Sequence, residues 1–119
     1  SEDEILTTIK TCFNETGYLL DTHTAIGYGV LKQYQQETGD HTKTVLLSTA
    51  SPYKFPESVY QAIYGEELDV YTAIDKLSEK TGVPVPQALA GIKEREVLHK
   101  EAIDKTEIIS FIKSEIEAM

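Results

Sequence analysis

Residues 44–55 read Thr-Val-Leu-Leu-Ser-Thr-Ala-Ser-Pro-Tyr-Lys-Phe, and this stretch decides which fold the chain can adopt. Its first part, Thr44 to Ser48, is apolar without polar alternation, which predicts a β-strand buried on both faces. The stretch then becomes polar, turns at Pro52 and enters a helix that begins near Pro56. In parallel α/β folds, ligands bind at the carboxyl end of a strand, and a helix N-terminus there favours anions. The stretch therefore predicts a ligand-binding edge.

Two helices are predicted upstream of this strand. Apolar residues recur at helical spacing from Ser1 to Thr16, and Asp21 or Thr22 can cap a second helix that runs to about Thr38. The inner face of the second helix is predicted to carry three residues at intervals of four: Ile26, Val30 and Tyr34.

Two glycines inside the second helix need an explanation. Gly27 and Gly29 each cost a helix about 1 kcal/mol relative to alanine. The sequence therefore indicates either that something approaches this helix closely or that its first turn is irregular.

Downstream of Pro56 the chain is predicted to be mostly helical. The last helix has a clear start signal, because Asp104 can cap it and Glu107 completes a capping box. Residues 94–102 are charged, and we predict a loop with possible strand character at Val97–Leu98. The helices before that loop are predicted to begin at Pro56, to run from Leu68 to Thr81, and to run from Pro86 to about Ile92.

Composition excludes several classes of function. The chain has 119 residues and a net charge of −9, so a phosphate backbone would be repelled and a nucleic-acid partner is not expected. No apolar run is long enough to span a membrane. The single cysteine, Cys12, fits a reducing cytoplasm and is predicted to be a small buried hydrophobe. Three separated histidines do not predict a metal site.

The predicted elements include many helices but only one or two strands. A parallel strand buried on both faces needs neighbours on each side to satisfy its backbone groups. Two interpretations follow from periodicity alone. The strand is an edge or hairpin in a mostly helical domain, or the chain is a piece of a larger α/β protein.

Two segments resemble threonine synthase. Residues 18–28 read Tyr-Leu-Leu-Asp-Thr-His-Thr-Ala-Ile-Gly-Tyr and are similar to the family's D-P-H-T-A-V-A-Y stretch. Residues 44–55 are similar to its S-T-A-H-P-x-K-F stretch, in the same order and at a fitting distance. The resemblance covers about residues 1–65. Some relatives carry histidine at the position of Ser51, so no acid–base role is carried over to this serine.

The resemblance implies an α/β fold class: a mostly helical C-terminal fragment of a tryptophan synthase β-like fold, with one or two short strands. Residues 1–65 would belong to the large domain that binds pyridoxal 5'-phosphate, and residues 66–119 would form a C-terminal helical tail. The family converts O-phospho-L-homoserine and water to L-threonine and phosphate. Its Schiff-base lysine and glycine-rich phosphate cradle have no counterpart in this chain, so the chain alone is expected to be inactive.

The resemblance also assigns residues to the site. Thr49 matches the threonine that hydrogen-bonds the pyridine nitrogen of the cofactor, where a neutral hydroxyl leaves the ring unprotonated. His23, Ser48 and Lys54 are candidates for the wall of the active site, and Lys54 is suited to a phosphate. Each also has an ordinary structural interpretation, as a cap, a turn hydroxyl or a surface charge.

Two alternatives remain at this point. One is another lyase of the same fold type, such as a threonine dehydratase or a cysteine synthase relative. The other is a free-standing acidic helical domain that binds a protein partner. If the chain is a fragment, we expect it to expose apolar surface on its strand and helices and to associate with itself.

Overall fold

The computed structural model describes residues 1–119 and is mostly helical, with no β-strand. Three 3-10 turns lie at Pro52–Lys54, Ile92–Glu94 and Lys105–Glu107. None of the helices is long and apolar enough to cross a membrane. The α-helices are α1 (Glu2–Thr16), α2 (Thr22–Thr38), α3 (Pro56–Tyr64), α4 (Val70–Thr81) and α5 (Ile108–Glu117).

The helix boundaries follow from capping residues in the sequence. Ser1 and Glu4 form a capping box at the start of α1, and Asp21, one of the two predicted caps, caps α2. Helix α4 begins at Val70 because the side chain of Asp69 accepts the N–H groups of two following residues. The first four α-helices each end at a glycine with a positive φ angle, a conformation that glycine adopts without steric cost: Gly17, Gly39, Gly65 and Gly82.

The core lies where α3 packs between α1 and α4. Cys12 is buried in this core, as predicted. Val59 and Ala62 of α3 are also buried. The side chains that are almost completely buried come from all three of these helices and include Ile9, Val59, Tyr60, Ala73 and Leu77.

The predicted strand at Thr44–Ser48 does not form. Val45 and Leu47 are 82% and 76% exposed, so the prediction that this segment is buried on both faces is wrong. A strand needs partners for its backbone groups, and no other segment of residues 1–119 is extended beside it. The segment instead runs beside α2, where Leu46 Cδ1 lies 3.0 Å from the position that a Cβ on Gly27 would occupy. Gly27 is therefore a point of close approach, one of the two explanations that the sequence offered.

The inner face of α2 is also different from the predicted one. Ile26, Val30 and Tyr34 are 52%, 62% and 48% exposed, whereas Thr24 and Ala25 are buried. Helix α2 packs on α1 through small residues, because a Cβ on Gly29 would lie only 3.3 Å from Thr8 Oγ1. The apolar periodicity identified the helix correctly but not the face that meets α1.

The last part of the chain extends away from this core. Pro86 starts a hydrogen-bonded turn instead of the predicted helix, and Val97–Leu98 is exposed and not a strand. Helix α5 follows the predicted capping box of Asp104 and Glu107, and none of its residues is buried. The radius of gyration is 19.0 Å. A compact domain of this length would have about 13–14 Å.

Asp21, which caps α2, is almost completely buried, with 2% of its surface exposed. One carboxylate oxygen accepts the backbone N–H groups of His23 and Thr24, at 2.8 and 3.1 Å, and the other accepts the Thr24 hydroxyl. Burial raises the pKa of Asp21, but the hydrogen bonds from Thr24 and His23 outweigh it and hold this pKa below its ordinary value.

The contrast between two isoleucines tests this division into core and extension. Ile9 is fully buried in α1, whereas Ile109 of α5 is 71% exposed. We expect Ile9→Ala to lower the free energy of unfolding by about 3 kcal/mol, because it leaves a cavity. Ile109→Ala should change it by less than about 0.5 kcal/mol. Urea denaturation followed by circular dichroism measures both, and equal losses would show that α5 packs on the core.

The buried carboxylate predicts how stability depends on pH. The folded-state pKa of Asp21 is lowered, so its contribution to stability is fully present above the unfolded-state value, about 3.9, and is lost as pH falls through the folded-state value. Asp21→Asn should therefore destabilise the chain near pH 7 and make its stability less dependent on pH below about 4. Thermal denaturation between neutral and acid pH measures this. Asp75→Asn, at an exposed position of α4, is the control. If stability fell with pH equally in wild type and Asp21→Asn, the lowered folded-state pKa of Asp21 would be contradicted.

Candidate functional site

The candidate site is the loop of residues 48–55, which connects the segment beside α2 to the start of α3. At its first residue, Ser48 Oγ lies 3.3 Å from Thr24 Oγ1 and 3.5 Å from Asp21 Oδ2. The same oxygen lies 3.4 Å from the carbonyl oxygen of Ala50. Ser48 thus connects the loop to the buried cap of α2 across more than twenty residues of sequence.

The other end of the loop is attached to the core. The Ser51 hydroxyl accepts the backbone N–H of Tyr53 at 3.2 Å, and the Ser51 carbonyl accepts that of Lys54 at 2.9 Å. The buried ring of Tyr53 reaches the core, and its hydroxyl donates to the carbonyl of Val83 at 2.5 Å. Burial raises the pKa of the Tyr53 phenol. Both ends of the loop therefore have defined anchors.

Thr49 lies between these anchors and differs from both neighbouring serines. Ser48 and Ser51 use their hydroxyls in hydrogen bonds within the chain, which is the turn and cap role that their sequence context suggested. Thr49 is exposed, and its hydroxyl makes no hydrogen bond to the rest of residues 1–119. The two serine hydroxyls and the Tyr53 phenol of the loop are thus bonded within the chain, whereas the Thr49 hydroxyl is free.

His23 lies against the loop through Phe55, and Lys54 is the residue of the loop just before Phe55. The imidazole of His23 stacks on the Phe55 ring, with centroids 5.7 Å apart and planes 26° apart. Its Nδ1 lies 3.4 Å from both Asp21 Oδ1 and Thr22 Oγ1, and about half of the side chain is exposed. Lys54 Nζ lies 5.9 Å from the Phe55 centroid, on an exposed side chain.

Sequence reasoning missed two residues of this arrangement. Asp21 was assigned only as a helix cap, although its carboxylate also meets Ser48. The sequence assigns no role to Phe55, although its ring lies near both His23 and Lys54. The position of Phe55 immediately before the proline that starts α3 was the available signal.

The arrangement leaves Thr49 and Lys54 exposed and does not enclose a ligand. A groove of about 240 Å³ lies beside Ser48 and is bounded by Cys12, Tyr28 and Leu46, among others. Ligand pockets usually measure about 300–1,000 Å³. No group of three or more histidine, cysteine or acidic side chains is arranged to hold a metal ion.

The sequence of the chain is similar to those of several known proteins. The chain is 32% identical to the mouse (Mus musculus) protein threonine synthase-like 1 over 100 residues, which cover 81% of this chain and 13% of that protein. It is 35% identical to human (Homo sapiens) threonine synthase-like 1 over 69 residues, covering 58% and 9% of the two chains. Pseudomonas aeruginosa threonine synthase is 36% identical over 66 residues, covering 56% and 14%. The chain therefore spans a small part of the length of each of these relatives.

The sequence model of a protein family also matches the chain and points to the same family as these relatives. The model described as "Threonine synthase, C-terminal" matches residues 24–112, which include most of α2, the whole loop and most of the C-terminal extension. The matched region contains Ser48, Thr49 and Lys54 and begins one residue after His23. The chain belongs to the threonine synthase family, in the part that forms the C-terminal region of these proteins.

Proposed function

We propose that this chain is the C-terminal part of a threonine synthase that depends on pyridoxal 5'-phosphate. The complete enzyme would convert O-phospho-L-homoserine and water to L-threonine and phosphate. It would have the tryptophan synthase β-like fold, with residues 1–65 in the large cofactor domain and residues 66–119 as the helical tail. The observation that carries the proposal is the free hydroxyl of Thr49, on a loop held at both ends within the family-matched region.

Thr49 fits the edge of a pyridine ring. Its hydroxyl is exposed and unpaired within the chain, so it can bond a ring nitrogen without breaking an existing hydrogen bond. When bound, pyridoxal phosphate supplies an electron sink for the substrate's reacting carbons. A neutral hydroxyl partner keeps the ring nitrogen unprotonated, which moderates that electron sink. The residue thus orients the ring and sets its electronic character.

His23 and Lys54 would form the wall of the same site. Lys54 is exposed close to the N-terminus of α3, where its cationic amine can bind a phosphate. The stacking of His23 on Phe55 gives the imidazole a fixed plane beside the loop. We expect the chain alone to be inactive, because the lysine and glycine-rich cradle that hold the cofactor in this family have no counterpart in residues 1–119.

A hybrid enzyme tests the cofactor role of Thr49. In it, this chain replaces the matching segment of the Pseudomonas aeruginosa threonine synthase. Thr49→Val keeps the shape and removes the hydroxyl, so the affinity for pyridoxal phosphate and the rate of phosphate release from O-phospho-L-homoserine should each fall about tenfold. Thr49→Ser restores a hydroxyl and should stay within about threefold of wild type. Absorbance titration and a phosphate assay measure the two quantities.

The matched control for this test is Thr44→Val. Thr44 is exposed at the start of the same stretch, and its hydroxyl bonds only the neighbouring Thr42 carbonyl, at 3.0 Å. Both quantities should remain unchanged in this control. If the hybrid binds the cofactor but consumes threonine instead of O-phospho-L-homoserine, the chain belongs to a threonine dehydratase and the proposed reaction is wrong. If Thr49→Val were as active as the wild-type hybrid, the proposed cofactor role of Thr49 would be wrong.

The exposed apolar surface leads us to propose that the chain, when alone, associates with itself. Many of the exposed apolar residues lie on three segments of the chain, and exposed apolar patches mark interaction sites. They are the segment Val45–Leu47, the stripe Ile26, Val30 and Tyr34 of α2, and the α5 residues Ile108, Ile109, Ile112 and Ile116.

Charge substitutions on α5 test self-association. Sedimentation velocity of the 119-residue chain should detect dimers or larger species at micromolar concentration. Ile109→Glu places a charge in the apolar face of α5 and should shift the distribution towards monomer. Ser110→Glu adds the same charge at the neighbouring exposed position and should have less effect. A wild-type chain that remains monomeric at all concentrations would contradict the proposal.

A further inference from the structure

Asp21 makes more contacts than a helix cap requires. The side chain is 2% exposed, and a buried carboxylate is stable only when its oxygens accept hydrogen bonds. Three of those bonds come from the first turn of α2, through His23 and Thr24. Two further contacts come from His23 Nδ1, 3.4 Å from Oδ1, and from Ser48 Oγ, 3.5 Å from Oδ2. Of all these contacts, the one from Ser48 comes from the loop.

Asp69 provides an internal comparison. It caps α4 in the same way, accepting the N–H groups of Tyr71 and Thr72 at 3.1 Å each and the Thr72 hydroxyl. Asp69 is exposed and bonds no residue distant in sequence. The same local motif thus occurs twice, and the copy beside the loop is the one that is buried and contacts a second segment. Capping alone does not account for the contact between Asp21 and Ser48.

Ser48 brings this contact to the backbone beside Thr49. Its Oγ lies near Asp21 and Thr24, and also 3.4 Å from the Ala50 carbonyl. The single hydroxyl proton can be donated to the Asp21 carboxylate or to the Ala50 carbonyl, and the bond to Asp21 is the one that ties the residue before Thr49 to α2. We propose that Asp21 is a positioning residue that holds the hydroxyl of Thr49 in place through the side chain of Ser48.

This inference rests on the proposed cofactor role of Thr49 and deepens it. A hydroxyl orients a ring only if its own backbone is fixed to within about 0.5 Å, and supporting hydrogen bonds provide that restraint. Asp21 and Ser48 would act on the cofactor through Thr49 and would not touch it.

The first test needs no cofactor. In the 119-residue chain, we expect the amide order parameter of Thr49, measured by NMR relaxation, to be close to that of ordered backbone, about 0.85. Ser48→Ala and Asp21→Asn should lower it to below about 0.6. Asp69→Asn removes the equivalent cap from α4 and should leave it unchanged. Ser48→Ala keeps the cap of α2 intact, so a loss of order in this variant does not reflect unfolding of that helix. An unchanged order parameter in Ser48→Ala would overturn the proposal.

The second test is a double-mutant cycle in the hybrid enzyme, read as the dissociation constant for pyridoxal phosphate. Ser48→Ala should raise this constant about fivefold and Thr49→Val about tenfold. If Ser48 acts through Thr49, the double variant should match Thr49→Val to within about twofold, because the restrained hydroxyl is already gone. Effects that multiply to about fiftyfold would show a separate structural role and overturn the proposal.

The two tests also separate this proposal from the proposed function. If Thr49→Val leaves cofactor affinity unchanged, the cofactor role of Thr49 fails, and the order parameter alone then decides whether Asp21 and Ser48 position Thr49. If Thr49→Val weakens binding but Ser48→Ala does not, the cofactor role stands and the positioning role alone is overturned.

Discussion

The buried carboxylate of Asp21 is the interaction on which the arrangement of the loop depends. It starts α2 by accepting two backbone N–H groups, and it meets Ser48, which lies far along the sequence. A buried charge without partners would cost several kcal/mol, so these hydrogen bonds are a condition of the fold. The start of α2 and the first residue of the loop are therefore joined through one side chain. A disturbance of this carboxylate affects both.

A consequence of this arrangement is a division of roles among three neighbouring hydroxyls. Ser48 and Ser51 are used within the chain, as a link to α2 and as a cap for the turn before α3. Thr49 lies between them and stays unpaired. A hydroxyl that is exposed on a restrained backbone is prepared for a ligand, because little further ordering is needed when the ligand binds. This supports a cofactor-facing role for Thr49 within a family whose relatives are threonine synthases and threonine synthase-like proteins.

Local signals in the sequence predicted the helices well and the tertiary contacts less well. Asp21 and the Asp104–Glu107 box mark helix starts, and Gly17 marks a helix end, because capping depends on neighbouring residues only. The strand at Thr44–Ser48 was wrong because strand formation depends on partners elsewhere, which residues 1–119 do not supply. The loop and its polar residues were recognised from the motif. The free hydroxyl of Thr49 and the link between Asp21 and Ser48 could not be predicted, since both depend on contacts between segments distant in sequence.

The most direct test of this account is whether the segment before the loop lies against α2 in solution. Leu46 Cδ1 is 3.0 Å from the position that a Cβ on Gly27 would occupy, so the Leu46 side chain packs closely against Gly27. In the NMR spectrum of the 119-residue chain, we predict a strong nuclear Overhauser effect between the Leu46 methyl protons and the α-protons of Gly27. Random-coil shifts for residues 44–48 without this effect would contradict the account, because the loop that carries Thr49 would then not be held beside α2.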